Sequence, residues 1–173
     1  VRLAVAISVT DPGTPIINRT TQEFCVVNAP TFASIDVSPA TNVVWYTALN
    51  GGSLIPSTTV LTSGTYYAAI KDPITTCESN VRLAINISVT DPGTPVITDT
   101  AQEFCLASAP TFASINVSPA TNIVWYTALT GGSLIPATTA LTSGTYYAAI
   151  KDPTTTCESN VRLAIAISVT DPG

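Results

Sequence analysis

The sequence predicts an all-β chain made of tandem antiparallel β-sandwich repeats. Three observations support this prediction: short runs of alternating apolar and polar residues, an internal repeat of eighty residues, and no helical periodicity in the chain. The composition agrees, since 46% of the residues are hydrophobic and only 10% are charged. Thr, Ser, Ala, Pro and Gly supply much of the remainder, and these residues are typical of strands and turns.

The repeat is close to exact. Residues 14–93 and 94–173 are identical at 66 of 80 aligned positions, and half of the 14 differences fall between Ile16 and Asn28. Such similarity follows either from recent duplication or from selection for a uniform array. The chain contains no Met and begins with no signal-peptide pattern, so we interpret it as an internal part of a longer protein.

The densest Pro and Gly clusters, residues 11–15 and 91–95, mark the domain boundaries. We therefore predict two complete domains, residues 14–93 and 94–173, and interpret residues 1–13 as the final strand of a preceding repeat. A strand separated from its sandwich exposes an apolar face, which invites pairing. We expect a neighbouring molecule or the rest of a longer chain to cover that face, which consists of Val1, Leu3, Val5 and Ile7.

Four strands are predicted in the first repeat. Residues 81–90 alternate strictly between apolar and polar side chains, the pattern of a strand with one buried face. Residues 65–70, 42–46 and 31–37 give three further strands, separated by Pro and Gly turns. Short strands at this spacing are typical of an antiparallel sandwich.

Aromatic residues narrow the prediction to tandem immunoglobulin-like sandwiches. Trp45, on an early strand, is expected to be the central packing residue of the core. Residues 63–68 resemble a tyrosine corner, with Tyr66 as the corner residue and Ala68 where antibody domains have a cysteine. The alternative is that these aromatics form the core of a different β fold.

Each repeat contains two cysteines at the same spacing, Cys25 with Cys77 and Cys105 with Cys157. Without a histidine or a CxxC pair they cannot complete a zinc site, and no imidazole is present to activate a catalytic thiol. We expect the intradomain disulfides Cys25–Cys77 and Cys105–Cys157, each adding about 4 kcal/mol of stability. Disulfides indicate an oxidising, extracellular compartment.

The charge pattern excludes several classes of function. The net charge is −5, and the six basic residues are scattered singly, so we expect neither nucleic-acid binding nor a polybasic membrane patch. No apolar run reaches the roughly 18 residues of a membrane span. The carboxylates form no acid/base pair in sequence. We therefore predict no direct membrane insertion, no catalytic residues, no enzyme activity and no cofactor.

The Asp-Pro-Gly sequences between domains have two interpretations, a calcium site and a simple turn. Asp11, Asp91 and Asp171 each supply one carboxylate in an Asp-Pro-Gly sequence. A calcium ion requires six or more oxygen ligands. The turn is the simpler interpretation, and no metal site is predicted.

Four tyrosines are candidates for surface binding. Neighbours on a strand face opposite sides, so Tyr46 and Tyr67 should point outward if Trp45 and Tyr66 point inward. Exposed rings could stack on sugars, although cross-strand pairing explains them equally well. The full candidate set is Tyr46, Tyr67, Tyr126 and Tyr147.

A combination of short motifs recurs in the same order in both repeats. In the first repeat these are Phe24-Cys25, Trp45-Tyr46-Thr47-Ala48, Gly51-Gly52-Ser53-Leu54, Gly64-Thr65-Tyr66-Tyr67-Ala68 and Cys77-Glu78-Ser79. This combination resembles the Ig-like repeats of large Bacteroidetes cell-surface adhesins, including the gliding-motility adhesin of the SprB type. The resemblance implies type IX secretion, an extracellular location on the bacterial cell surface, and no catalytic residues.

The leading functional hypothesis is a structural shaft or spacer of an adhesin filament, acting in gliding motility or surface attachment. Its partners would be neighbouring repeats of the same chain, with surface polysaccharide or other adhesin subunits beyond them. The alternative is a carbohydrate- or protein-binding Ig-like module of an exported protein. A spacer attached to an exported hydrolase is a third, weaker hypothesis.

Overall fold

The computed structural model describes residues 2–171 and 173, so Val1 of the predicted apolar face lies outside the described residues. The chain divides into two compact units. The first unit comprises Val1–Phe24 and Asn28–Val89, and the second comprises Cys25–Val27 and Thr90–Gly173.

Each repeat contributes one five-stranded sheet. In the first repeat the strands are β1 Thr21–Cys25, β2 Val43–Tyr46, β3 Leu54–Ile55, β4 Gly64–Ile70 and β5 Leu83–Thr90, in the order β1-β5-β4-β2-β3. In the second repeat they are β6 Ala101–Cys105, β7 Ile123–Tyr126, β8 Leu134–Ile135, β9 Gly144–Ile150 and β10 Leu163–Thr170, in the order β6-β10-β9-β7-β8. The predicted all-β class is confirmed.

The layer facing each sheet is formed mainly by irregular segments. In the first repeat the strand pairing in this layer is limited to two isolated bridges, Ile16 with Ser38 and Thr31 with Val60. Short 3-10 turns complete the described elements: Val26–Asn28, Phe32–Ser34, Leu106–Ser108 and Phe112–Ser114.

The strand predicted over residues 31–37 is wrong. Residues Phe32–Ser34 form a 3-10 turn instead. The backbone N–H of Ser34 donates to the Thr31 carbonyl at 2.8 Å, and the Thr31 N–H donates to the Ser34 hydroxyl at 3.1 Å. Local bonds of this kind, made by Ser and Thr side chains, compete with a strand ladder.

The other three predicted strands are confirmed as β2, β4 and β5. Strand β6 departs from the antiparallel pattern, since it pairs in parallel with β10 at the edge of the sheet. The register places Cys105, the last residue of β6, opposite Thr170, the last residue of β10.

The core of the first repeat is built around aromatic rings. Trp45 is 3% exposed, as predicted, and its ring centre lies 5.6 Å from that of Phe32. The Phe32 ring meets Tyr66 edge-on at 4.8 Å, an arrangement that adds stability beyond area burial. The Tyr66 hydroxyl donates to the Thr62 carbonyl at 3.1 Å, which confirms the tyrosine corner.

Residues 2–11 are exposed, Pro12 is half-buried, and residues 2–13 contain no assigned strand. Within this segment Ile7 is 85% exposed, whereas Ile87, its equivalent in the first repeat, is 4% exposed. Leu3 is 88% exposed, whereas its equivalent Leu83 is half-buried. The same sequence pattern is therefore packed in the complete repeat and unpacked in the leading segment.

The aromatic core provides a stability test with a matched control. Because the Phe32 side chain is fully packed, Phe32→Ala should lower the free energy of unfolding of the first repeat by about 3–5 kcal/mol. Val60 is 59% exposed, and the second repeat has Ala140 at the equivalent position. Val60→Ala should therefore change that free energy by no more than about 0.5 kcal/mol. Urea unfolding followed by Trp fluorescence measures both, and equal losses would contradict the assigned core.

Candidate functional site

The loop of residues 152–157 positions one cysteine of the second repeat. The carboxylate of Asp152 accepts hydrogen bonds from the N–H groups of Thr154 and Thr155, both at 2.8 Å. The Asp152 N–H donates to the Cys157 carbonyl at 2.8 Å, which closes the loop. The backbone bond from Thr155, followed by that from Thr154, lowers the pKa of Asp152. Asp72 organises the Cys77 loop of the first repeat in the same way.

Residues 90–93 contact this loop through side chains and backbone. The Thr90 hydroxyl lies 3.2 Å from the Cys157 sulfur, and the Ser159 hydroxyl donates to the Gly93 carbonyl at 2.5 Å. The Asp91 carboxylate accepts from the Asn160 N–H at 3.2 Å. These bonds hold the start of the second unit against the loop that contains Cys157.

Cys157 forms a disulfide with Cys25 across a sequence separation of 132 residues, with their Cα atoms 5.2 Å apart. The bond joins the last residue of β1 in one eighty-residue repeat to the loop before the final strand of the next repeat. Both cysteines fall within the second compact unit. Cys77 and Cys105 are free thiols.

The expected intradomain pairing is therefore wrong, and strand direction explains why. The parallel register places Cys105 opposite Thr170, at the end of β10. Cys157 precedes Leu163, the residue that begins β10. The length of β10, about 24 Å at the usual rise per residue, separates the two regions. A disulfide requires Cα atoms closer than about 7 Å, so the Cys105–Cys157 bond cannot form. The Cys25–Cys77 bond is excluded because Cys25 is bonded to Cys157.

The free cysteine of the first repeat lies in a matching environment. The Thr10 hydroxyl lies 3.8 Å from the Cys77 sulfur, and the Ser79 hydroxyl donates to the Gly13 carbonyl. Residues 10–13 therefore contact the Cys77 loop in the way that residues 90–93 contact the Cys157 loop.

Tyr46 is not an exposed stacking ring, so that expectation is wrong. The side chain faces away from the core, as the alternation predicts, and pairs in register with Tyr67. However, the Arg82 guanidinium covers its ring at 3.4 Å, and Tyr46 is only 9% exposed. The same guanidinium donates to the carbonyls of Ala48 and Gly51 at 2.8 and 2.5 Å, which fixes the turn after β2.

The Tyr46 hydroxyl donates to the Glu78 carboxylate at 2.7 Å. Burial, followed by the hydrogen bond and charge of Glu78, raises the pKa of Tyr46. The second repeat repeats this cluster, since Arg162 covers the Tyr126 ring at 3.4 Å and the Tyr126 hydroxyl donates to Glu158. Tyr67 and Tyr147 are half-buried on the same outer face of their sheets.

The Asp-Pro-Gly sequences form turns. The Asp11 carboxylate accepts from the Gly13 N–H at 2.9 Å, and the Asp91 carboxylate accepts from the Gly93 N–H at 3.0 Å. Within the described part of the chain, no three His, Cys, Asp or Glu side chains group as metal ligands would. Nor does any helix among residues 2–171 have the length and apolar character needed to cross a membrane.

The second repeat matches a known family. Residues 92–171 match the family model described as Ig-like domain CHU_C associated. This is an immunoglobulin-like repeat. The first Ig-like repeat is identical to the second at 66 of 80 positions. The fold is typical of extracellular and adhesion proteins, and Ig-like domains are in general not enzymes.

Two solved structures illustrate what the chain is similar to. The N-terminal four Ig domains of Dscam1 isoform 6.9 are 12% identical with a TM-score of 0.29, and the match covers 98% of this chain and 49% of that one. Human protocadherin-24 EC1-2 is 14% identical with a TM-score of 0.28, covering 91% and 99% respectively. The chain thus spans about half the length of the Dscam1 structure. No curated protein matches the sequence.

The pairing of the cysteines can be checked by thiol titration. The folded monomer should react with two equivalents of a thiol reagent, at Cys77 and Cys105, because only Cys25 and Cys157 are bonded. Non-reducing peptide mapping should recover Cys25 linked to Cys157. The Cys77→Ser/Cys105→Ser variant, as the control, should show no reactive thiol. A Cys25–Cys77 peptide, or no reactive thiol in the unmodified chain, would contradict the assignment.

The raised pKa of Tyr46 and Tyr126 predicts a loss of stability at alkaline pH. The pKa of both hydroxyls in the folded state lies above the ordinary tyrosine value of 10.0, so the neutral hydroxyl is favoured in the folded state. That stabilisation is complete below the unfolded pKa and is lost as the pH rises through the folded pKa. Tyr46→Phe/Tyr126→Phe should therefore weaken the decline of stability above pH 10.0.

The measurement is urea unfolding between neutral and alkaline pH, made in the Cys77→Ser/Cys105→Ser background to prevent thiol exchange. The background protein without the Phe changes is the control. Equal pH dependence in both proteins would show that the two hydroxyls are not responsible.

Proposed function

We propose that this chain is a segment of the shaft of a bacterial cell-surface adhesin, in which Ig-like repeats are force-bearing spacers. The observation that supports the proposal most directly is the Cys25–Cys157 disulfide. A bond between consecutive repeats makes the array continuous through sulfur as well as through the backbone. A domain that only displays a ligand site has no need for this second connection.

Tension applied to the two ends of the chain would be carried by the disulfide, and most of each repeat would therefore not be stretched. The 132-residue loop between Cys25 and Cys157 includes β2 to β5 and β6 to β9. Since the disulfide crosses this loop, the load passes through sulfur even if the residues inside unfold. In the chain-entropy model, a loop of this size also stabilises the folded state by about 5 kcal/mol. Both effects suit a spacer under tension.

We also propose that residues 1–13 are the final strand of a preceding repeat, with complete repeats at 14–93 and 94–173. The contacts of Thr10 with Cys77 and of Gly13 with Ser79 support this division. They match those of Thr90 with Cys157 and of Gly93 with Ser159. The leading segment therefore meets the first repeat in the way that the end of the first repeat meets the second.

The disulfide and the Ig-like fold are typical of extracellular proteins. The resemblance to Bacteroidetes adhesin repeats extends this to a protein exported by type IX secretion and displayed on the cell surface, where it acts in gliding motility or attachment. Neighbouring repeats are its first partners, and surface polysaccharide or other adhesin subunits are contacted beyond them. The repeats themselves have no catalytic role.

The competing function is a carbohydrate- or protein-binding module. The covered rings of Tyr46 and Tyr126 argue against sugar stacking at those positions. The half-buried Tyr67 and Tyr147 are the observation that favours it. Specific glycan binding that is lost in Tyr67→Ala/Tyr147→Ala would support the binding module instead of the spacer.

Single-molecule stretching tests the load-bearing role of the disulfide. The chain, attached at its two ends, should extend little under oxidising conditions because the loop between Cys25 and Cys157 is crossed by sulfur. Adding a reductant during the pull should release the 132-residue loop, which adds about 450 Å of fully extended chain. Cys25→Ser should show the full extension from the start. Equal extension of the oxidised chain and this variant would overturn the proposal.

A further inference from the structure

Each free cysteine is the repeat equivalent of a bonded one. Cys77 occupies the position that Cys157 occupies eighty residues later, and Cys105 occupies the position of Cys25. The bonded pair therefore combines a strand-end cysteine of one repeat with a loop cysteine of the next. In this chain one loop cysteine and one strand-end cysteine remain free.

The surroundings of Cys77 match those of Cys157, the loop cysteine that is bonded. The Asp72 carboxylate accepts from the N–H groups of Ile74 and Thr75 at 2.8 and 2.7 Å, and the Asp72 N–H donates to the Cys77 carbonyl at 2.9 Å. The Thr10 hydroxyl lies beside the sulfur, as Thr90 lies beside Cys157. We call Thr10, Cys77 and Ser79 the loop half-site. It lacks only the strand-end cysteine.

The surroundings of Cys105 are complementary. It ends β6 and lies in register with Thr170 at the end of β10. Thr170 is the repeat equivalent of Thr90, the residue whose hydroxyl contacts the bonded sulfur of Cys157. Cys105 is exposed, whereas Cys25, the bonded cysteine at the equivalent position, is half-buried. We call Cys105 and Thr170 the strand half-site. It lacks only the loop cysteine.

We infer that Cys77 and Cys105 are the two halves of one repeating inter-repeat disulfide, each completed by a further repeat of this sequence. Cys77 bonds the strand-end cysteine of the repeat before it, and Cys105 bonds the loop cysteine of the repeat after it. The observation behind this inference is that the same two positions, one repeat along, are bonded in the chain itself. It does not depend on the proposed adhesin function.

Bond formation is an oxidation. The two S–H bonds are lost, one S–S bond forms, and two protons and two electrons leave the pair. The electrons pass to a small-molecule or protein disulfide, which is reduced to two thiols in the same exchange.

The inference changes how an array is connected. Consecutive bonds each span 132 residues while the repeat is eighty residues long, so the loops overlap. The backbone between Cys77 and Cys105, 28 positions further along, comprises β5, the linker and β6. Each such segment is linked by sulfur at both ends. Because every disulfide joins segments that lie two repeats apart, an array then contains two interleaved covalent paths.

Two variants of the full chain test the inference. Cys105→Ser retains only the loop half-site, and Cys77→Ser retains only the strand half-site. Each variant is incubated with oxidised glutathione at high protein concentration, alone and as an equal mixture, and is analysed by non-reducing electrophoresis and peptide mass spectrometry. Each variant alone should remain monomeric. The mixture should give a dimer linked between Cys77 and Cys105, in which Thr170 of one copy replaces Thr10 of the other beside the Cys77 sulfur. The unmodified chain should form a ladder of linear oligomers.

Random thiol pairing would instead give like dimers and mixed dimers in comparable amounts. Like dimers at the yield of the mixed dimer, or a mixture without any Cys77–Cys105 link, would overturn the inference. Loss of the mixed dimer through misfolding is excluded by requiring the Cys25–Cys157 peptide in each variant.

A chain lengthened at Gly173 by a second copy of residues 94–173 provides an independent measurement. The inference predicts that the folded monomer still has two reactive thiols, although two cysteines have been added. Four reactive thiols, or a bond within the added copy, would overturn it. Neither result depends on whether the protein bears load, so the outcome is separable from that of the stretching experiment.

Discussion

The parallel pairing of the first strand with the last strand of the repeat determines the cysteine chemistry. Because β6 runs in the same direction as β10, Cys105 lies at the end where β10 leaves the domain. The loop that contains Cys157 lies at the end where β10 begins. One domain therefore has one cysteine at each end, and neither can reach the other. Had β6 been antiparallel, its last residue would have lain near the loop cysteine of its own repeat.

The interior of the repeat is stabilised without a disulfide. Ala68 is fully buried and pairs in register with Trp45. Phe32 fills the same cluster and contacts both Trp45 and Tyr66. Aromatic packing therefore stabilises the centre of the sandwich, and the cysteines are left to act at its ends. On the outer face, the Arg82 guanidinium packs on the Tyr46 ring and donates a hydrogen bond to the turn after β2. Tyr46 therefore has a structural role.

Much of the sheet was predictable because its signals are local. The alternation of residues 81–90, the burial of Trp45 and the Tyr66 corner all depend on neighbours in sequence. Strand β1 and its place beside β5 were not predictable, since five residues with little alternation give no indication of a distant partner. The disulfide pairing depended on that partner. The cover over Tyr46 was missed for the same reason, because Arg82 is remote in sequence and close only in the fold.

A repeat with unlike half-sites at its two ends has a definite mode of assembly. The strand-end cysteine and the loop cysteine are not equivalent, so two copies joined by them form a heterologous contact. The joined pair still has a free loop half-site at one end and a free strand half-site at the other. Such a contact does not close on itself in a pair and extends with every added copy. A symmetric dimer would pair like with like and stop. The position of two cysteines, set by the direction of one edge strand, is therefore sufficient to make a linear array of any length continuous through sulfur.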